Sequence, residues 1–250
     1  MNQRGVFEMN QKQVNVSTKN STTNLSVNRN LLLKKVSVRL LMAVVLLGAV
    51  FFLPAGTFNY WQAWVYMTIL IIPATLTMLY LLKKAPDLLE RRMKMKEKET
   101  EQKLIVKLSF IFYIALFLIP GFDKRFGWSE VPAIVVLIAD ILIFLGYLLF
   151  IIVVKENRYA SRVIEIAEEQ KVISTGPYAL VRHPMYVSSL VIFIFSSLAL
   201  GSYWALIPSI FIIILISARI INEEKVLHEE LPGYREYTEK VKYRLIPGIW

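Results

Sequence analysis

Residues 131–154 read VPAIVVLIADILIFLGYLLFIIVV, an apolar run carrying one charged residue, Asp140. An α-helix needs about 20 such residues to cross a hydrocarbon layer about 30 Å thick. The segment is therefore expected to span a bilayer. Three comparable blocks precede it: Val36–Leu53, Trp61–Leu82 and Leu104–Ile119. Arg39 lies near the start of the first, where its long stem suits snorkeling. Tyr60, Trp61 and Trp64 border the second, as in an interfacial aromatic belt. Pro73 within it predicts a kink rather than an end. A last apolar region, Pro184–Ile221, is split at Gly201-Ser202 into helices over 184–200 and 203–221. At about 1.5 Å per residue the shorter helix reaches roughly 25 Å. It either barely crosses or packs against protein. The expected fold is all-α, a multi-pass integral membrane bundle of about five to six transmembrane helices, the last two a helical hairpin.

Composition agrees. The chain of 250 residues is 56% hydrophobic and 19% charged, with a mean hydropathy of +0.50. A soluble domain averages about 45–50% apolar and about 25% charged. The absence of cysteine excludes disulfide scaffolds, thiolate zinc sites, iron–sulfur clusters and cysteine nucleophiles. With two histidines only, His183 and His228, no metal site is expected. Sixteen of residues 1–30 are Asn, Gln, Ser or Thr. Such a segment buries too little to offset its ordering entropy and reads as a disordered polar tail. It lacks the apolar run and cleavage site of a signal peptide. The expected organisation is this tail (1–30), transmembrane helices 1–4 with a basic segment at 83–103 (31–152), and a polar-rich C-terminal region (153–250).

The net charge of +10 is distributed by segment. Lys and Arg number seven in residues 1–39, eight in 83–103, five in 155–182 and six from Arg219 onward. The 54–60 loop has none, and the 120–130 loop has Lys124 and Arg125. Basic and poor segments alternate, so the positive-inside rule puts both termini, 83–103 and 155–185 in the cytoplasm. The charge is thus explained by topology and anionic lipid, and no nucleic-acid partner is expected. The membrane is the plasma (inner) membrane in a bacterial host and the endoplasmic reticulum in a eukaryotic one. The mixed signs of 83–103 suit a solvated or headgroup-lying helix without chemistry.

Asp140 is costly in a bilayer, by about 2.5–3.5 kcal/mol on insertion scales. It reads either as a functional group or as a carboxyl hydrogen-bonded to a neighbouring helix. The more informative polar groups lie after Val153. In EEQKVISTGPYALVRHPMY, residues 168–186, Gly176-Pro177 marks a turn. Pro184 suits the first position of a helix. Arg182 and His183 then sit at a helix N-terminus, whose free N–H groups favour anionic or polar ligands. In ARIINEEKVLHEE, residues 218–230, Arg219 and Glu223 are four apart and share a helix face. The tail LPGYREYTEKVKYRLIPGIW, residues 231–250, offers Tyr234, Tyr237 and Tyr243 to cover a site.

TGPYALVRHPMY followed by RIINEEKVLHEELPGYREYTEKVKYRLIPG resembles the isoprenylcysteine carboxyl methyltransferases and their relatives, the phospholipid methyltransferases. The resemblance covers about residues 153–250. It implies S-adenosylmethionine (AdoMet) bound in a non-Rossmann pocket at the cytoplasmic end of the last helices. No GxGxxG follows a strand here. Transferred position by position, the family's cofactor-binding residues fall on Gln170, Lys171, Val172, Ile173, Tyr178, His183, Pro184, Met185, Tyr186 and Glu223. The family's substrate-orienting arginine falls on Arg219. Family members often carry a histidine where this chain has Gln170.

The chemistry of these residues agrees. Glu223 suits the AdoMet ammonium or ribose hydroxyls. His183 suits the carboxylate or adenine, and the rings of Tyr178 and Tyr186 suit a sulfonium. A carboxylate acceptor is ionised at pH 7 and needs only a cation to orient it. An amine acceptor needs a base, for which His228, Glu224 and Asp140 are the candidates. The expected activity is methyl transfer to a lipid or lipidated substrate entering from the bilayer, of isoprenylcysteine-carboxylate type. The alternatives are phosphatidylethanolamine N-methylation, an NADPH-dependent sterol-reductase-like activity, or a non-catalytic transporter or scaffold. The absence of an internal repeat argues against a transporter.

Overall fold

The computed structural model describes residues 32–92, 100–157, 159 and 170–250. The polar tail expected over 1–30 and part of the 83–103 segment lie outside them. The helices are α1 (Leu32–Ala55), α2 (Trp61–Lys84), α3 (Pro86–Arg92), α4 (Thr100–Phe126), α5 (Ala133–Glu156), α6 (Pro184–Ala199), α7 (Leu206–Glu230) and α8 (Tyr234–Lys240). A 3-10 turn covers Gly176–Ala179. No strand occurs among the described residues. α1, α2, α4, α5 and α7 are long and apolar enough to cross a membrane.

The apolar blocks become helices, but hydropathy misplaces their ends. α4 runs through Pro120 to Phe126, beyond the expected end at Ile119. α7 continues past Ile221 to Glu230. Backbone hydrogen bonding does not stop where side chains turn polar, so each helix carries its apolar core and a polar extension. Pro73 sits within unbroken α2, where the Thr77 hydroxyl donates to its carbonyl at 2.7 Å.

The short helix α6 packs on protein, contacting α5, α7, α2 and α4. Gly146 lets α5 approach it: a Cβ there would lie 3.1 Å from Val191 Cγ1 and 3.2 Å from Ile192 Cγ1. One core joins Phe51 of α1, Tyr60, Ala63 and Tyr66 with Ile143 and Leu200. A second joins Leu116 of α4, Ile212, Ile216 and Ile220 of α7 and Leu245 of the tail. Large apolar residues such as Leu53, Phe110, Ile141 and Ile210 face outward, as a lipid-facing surface requires.

The described starts of α1, α4 and α6 and ends of α2, α5 and α7, which border basic segments, line one cavity, and we call this the basic end. At the opposite end Asp123 accepts hydrogen bonds from the Ser129 amide and hydroxyl, both at 2.7 Å, and from the Ser202 hydroxyl at 2.5 Å. These tie the α4–α5 and α6–α7 loops together. α1 and α4 also meet there, at Gly121, where a Cβ would lie 2.8 Å from Pro54 Cβ and 2.9 Å from Phe51 O. Gly121→Ala is expected to destabilise the bundle by about 1–3 kcal/mol through overpacking, measurable as a lower thermal midpoint in detergent. An unchanged midpoint would show that α1 and α4 separate freely.

Asp140 is buried at 3% exposure. Neither carboxylate oxygen has a hydrogen-bond partner among the described residues. Of its two readings, the interhelical hydrogen bond is not made among the described residues.

Candidate active site

A cavity of about 1460 Å³ opens at the basic end between α1, α2, α4, α5, α6 and α7. Its wall includes Gln170, Lys171, Val172, Ile173, Tyr178, His183, Met185, Tyr186, Arg219 and Glu223. These are the residues expected from sequence, with one exception. Pro184 is buried, starts α6 and is not on this wall.

The site is organised by the start of α6 and the emerging end of α7. The Arg219 Nε–H donates to the Tyr186 hydroxyl at 2.9 Å, and that hydroxyl donates to Glu223 Oε2 at 2.6 Å. Arg219 and Glu223 share a face of α7, as their spacing predicts, and Tyr186 of α6 stands between them. Tyr186→Phe is expected to weaken AdoMet binding about fivefold, since a hydrogen bond of about 1 kcal/mol to Glu223 is removed. Calorimetry with AdoMet checks this, and unchanged affinity would separate Tyr186 from the cofactor side.

Behind this row, Glu224 is buried and fully engaged. Its Oε1 lies 3.1 Å from His183 Nε2 and 2.8 Å from Arg182 Nε, and its Oε2 accepts from Arg244 Nε at 2.8 Å. The Arg182 contact is an ion pair at short range without an aligned hydrogen bond. The backbone completes the junction: Arg182 N–H donates to Tyr243 O and His183 N–H to Arg244 O, both at 2.9 Å. The tail thus takes the two amides that precede α6, Pro184 has none, and within the first turn the Tyr186 and Val187 amides donate to the His183 carbonyl.

The 3-10 turn is pinned separately. Gly176 has φ +57°, and Glu156 packs against it. The Thr175 hydroxyl donates to Glu156 Oε1. Asn157 Nδ2 donates to the Tyr178 hydroxyl at 3.0 Å, and the Tyr237 hydroxyl donates to the Tyr178 carbonyl at 2.7 Å. Burial pushes the Tyr178 phenol up to about 12. Burial likewise raises Tyr234 and Tyr237. All three stay neutral hydroxyls. Tyr234 and Tyr237 line the cavity, whereas Tyr243 is 39% exposed and does not.

The three base candidates are not on the wall. Asp140 is buried elsewhere, Glu224 is held by its partners, and the His228 ring packs edge-on against Tyr234 at 5.0 Å. Glu223 is the carboxylate among the described wall residues. Sequence reading left Asn157, Arg244 and the junction role of Glu224 unassigned. The second Glu of RIINEE was visible, but nothing local announces its partners Arg182, His183 and Arg244.

The donor set suits AdoMet. A carboxylate, neutral phenols, an imidazole and the 170–173 backbone meet beside an apolar space. The volume exceeds the about 300–1,000 Å³ of an ordinary ligand pocket, leaving room for a second ligand beside the cofactor.

Comparisons with known proteins bear on the same region. Residues 134–232 match the family model described as phospholipid methyltransferase. No curated protein matches the chain. Among solved structures the chain is similar to the eukaryotic intramembrane Ras methyltransferase, isoprenylcysteine carboxyl methyltransferase, without a monobody. That likeness has 16% identity, a TM-score of 0.45, and coverage of 85% of this chain and 86% of the other.

Proposed function

We propose that the chain is a multi-pass membrane methyltransferase that uses AdoMet: residues 134–232 match the phospholipid methyltransferase family model, and five helices are long and apolar enough to cross a membrane. We propose that the acceptor is a carboxylate on a lipidated substrate, of the isoprenylcysteine type, reached from the bilayer. The observation that carries this is Arg219 on the cavity wall beside the Tyr186–Glu223 pair, with none of the three base candidates there.

When bound, AdoMet supplies an electrophilic methyl group on a sulfonium. Glu223, His183, Tyr178 and the 170–173 strip would hold it. Arg219 orients the acceptor carboxylate, which at a reference pKa of about 3.3–3.7 is already ionised and loses no proton. The apolar walls exclude water, and catalysis rests on alignment. The catalytic end lies on the cytoplasmic face in this reading, supported by the basic segments bordering it.

Arg219→Ala is expected to remove turnover while leaving AdoMet affinity within a few-fold of the parent. Labelled-methyl transfer into a prenylated cysteine peptide, alongside AdoMet calorimetry, measures both. Unchanged turnover would take Arg219 out of the acceptor role. The family description, phospholipid methyltransferase, favours a second reading, phosphatidylethanolamine N-methylation, and label appearing in that lipid rather than the peptide would select it.

A further inference from the structure

The helices α1 and α4 touch at one end and part at the other. Far from the basic end they meet at Gly121, and the Phe51 and Phe117 rings lie 6.1 Å apart. Toward the basic end the cavity separates them. α1 contributes Val38, Arg39, Met42, Ala43 and Leu46, a single stripe at helical spacing. α4 contributes Lys103, Val106, Lys107, Phe110 and Phe117. Met42, Leu46 and Phe110 line this seam and yet are 61%, 63% and 64% exposed. The seam is therefore open sideways, toward lipid.

Its mouth is cationic. Arg39 stands on α1, with Lys103 and Lys107 one turn apart on α4, and all three are exposed. Among the described wall residues seven are Lys or Arg and one, Glu223, is a carboxylate. Glu223 belongs to the α7 side, and Glu224 serves Arg182 there. AdoMet, whose sulfonium and ammonium outweigh its carboxylate, does not neutralise the mouth. Arg39 has a protein contact of its own, but a guanidinium carries five donors and can serve a ligand as well. An apolar slot lined by α1 and α4, with Arg39 on one side and Lys103 and Lys107 on the other, complements an amphiphile with a negative head.

We propose that the α1–α4 seam binds one anionic phospholipid, its headgroup between Arg39 and Lys107 and a hydrocarbon chain along Met42, Leu46 and Phe110. The seam joins the catalytic cavity, so the methyl acceptor that follows it is also an anionic amphiphile, and this last step rests on the acceptor reading above.

The test is native mass spectrometry of the full chain released from nanodiscs of equimolar phosphatidylglycerol and phosphatidylcholine. One phosphatidylglycerol should be retained in preference to phosphatidylcholine. Arg39→Gln and Lys107→Gln should each reduce that retention by about fivefold, the worth of one interfacial cation. Ala43→Trp fills the slot without changing charge and should also reduce it. Added inorganic phosphate should not displace the lipid. Equal retention of the two lipids would overturn the proposal. So would loss in the charge variants with none in Ala43→Trp, which would mean diffuse surface attraction. AdoMet calorimetry on the same samples should be unaffected by all three substitutions, which also shows that they fold. A parent protein that fails to bind AdoMet would end the acceptor reading and leave the lipid result standing.

Discussion

Glu224→Ala is expected to destabilise the protein by about 3–5 kcal/mol, the cost of stripping a counter-charge from buried cationic groups. Arg182 is 9% exposed and Glu224 6% at the side chain, so solvent does little to screen them, although Arg244 at 33% is partly relieved by water. The loss would reach beyond a local contact. Glu224 ties the segment before α6, the end of α7 and the C-terminal tail, and His183 depends on it for its ring position. AdoMet affinity should therefore fall together with stability. Glu224→Gln keeps the shape and an acceptor oxygen but not the charge, and should lie between parent and alanine variant. Thermal unfolding in detergent, followed by AdoMet calorimetry on the folded fraction, measures both effects. An alanine variant as stable as the parent would show that the cations pair elsewhere.

Glu223→Ala is expected to weaken AdoMet binding by about tenfold to more than a hundredfold. A charge-assisted hydrogen bond contributes about 1.5–3 kcal/mol, and each 1.4 kcal/mol is about tenfold in affinity. Stability should change little, because Glu223 is only partly buried and its hydrogen-bonding neighbour Tyr186 also bonds Arg219. That contrast between adjacent residues is the sharpest check on the site. If Glu223→Ala unfolds the protein and Glu224→Ala merely loses cofactor, the two roles are exchanged. His183→Ala should resemble Glu223→Ala in affinity, with added destabilisation from the lost Glu224 contact.

Much of this was legible in the residues. Periods of polarity and lengths of apolar blocks located the helices, because a bilayer imposes a length that a chain displays locally. The Arg219–Glu223 pair was legible because four residues make one helical turn. Helix ends were not, since α4 and α7 run on past the end of the continuous apolar block under backbone hydrogen bonds that hydropathy does not report. Pro184 carried the motif yet is not on the cavity wall.

By itself the sequence determined that this is a multi-pass helical membrane protein whose candidate site residues gather at its basic end. The cause is local: hydrophobic length, charge placement and short-range spacing need no knowledge of which helices touch. The tertiary structure alone decided that Glu224 faces the tail, that Tyr186 stands between Arg219 and Glu223, and that α1 and α4 part into an open seam. Those choices depend on packing between residues far apart in the chain, such as Arg182, Glu224 and Arg244, and on a missing Cβ at Gly121.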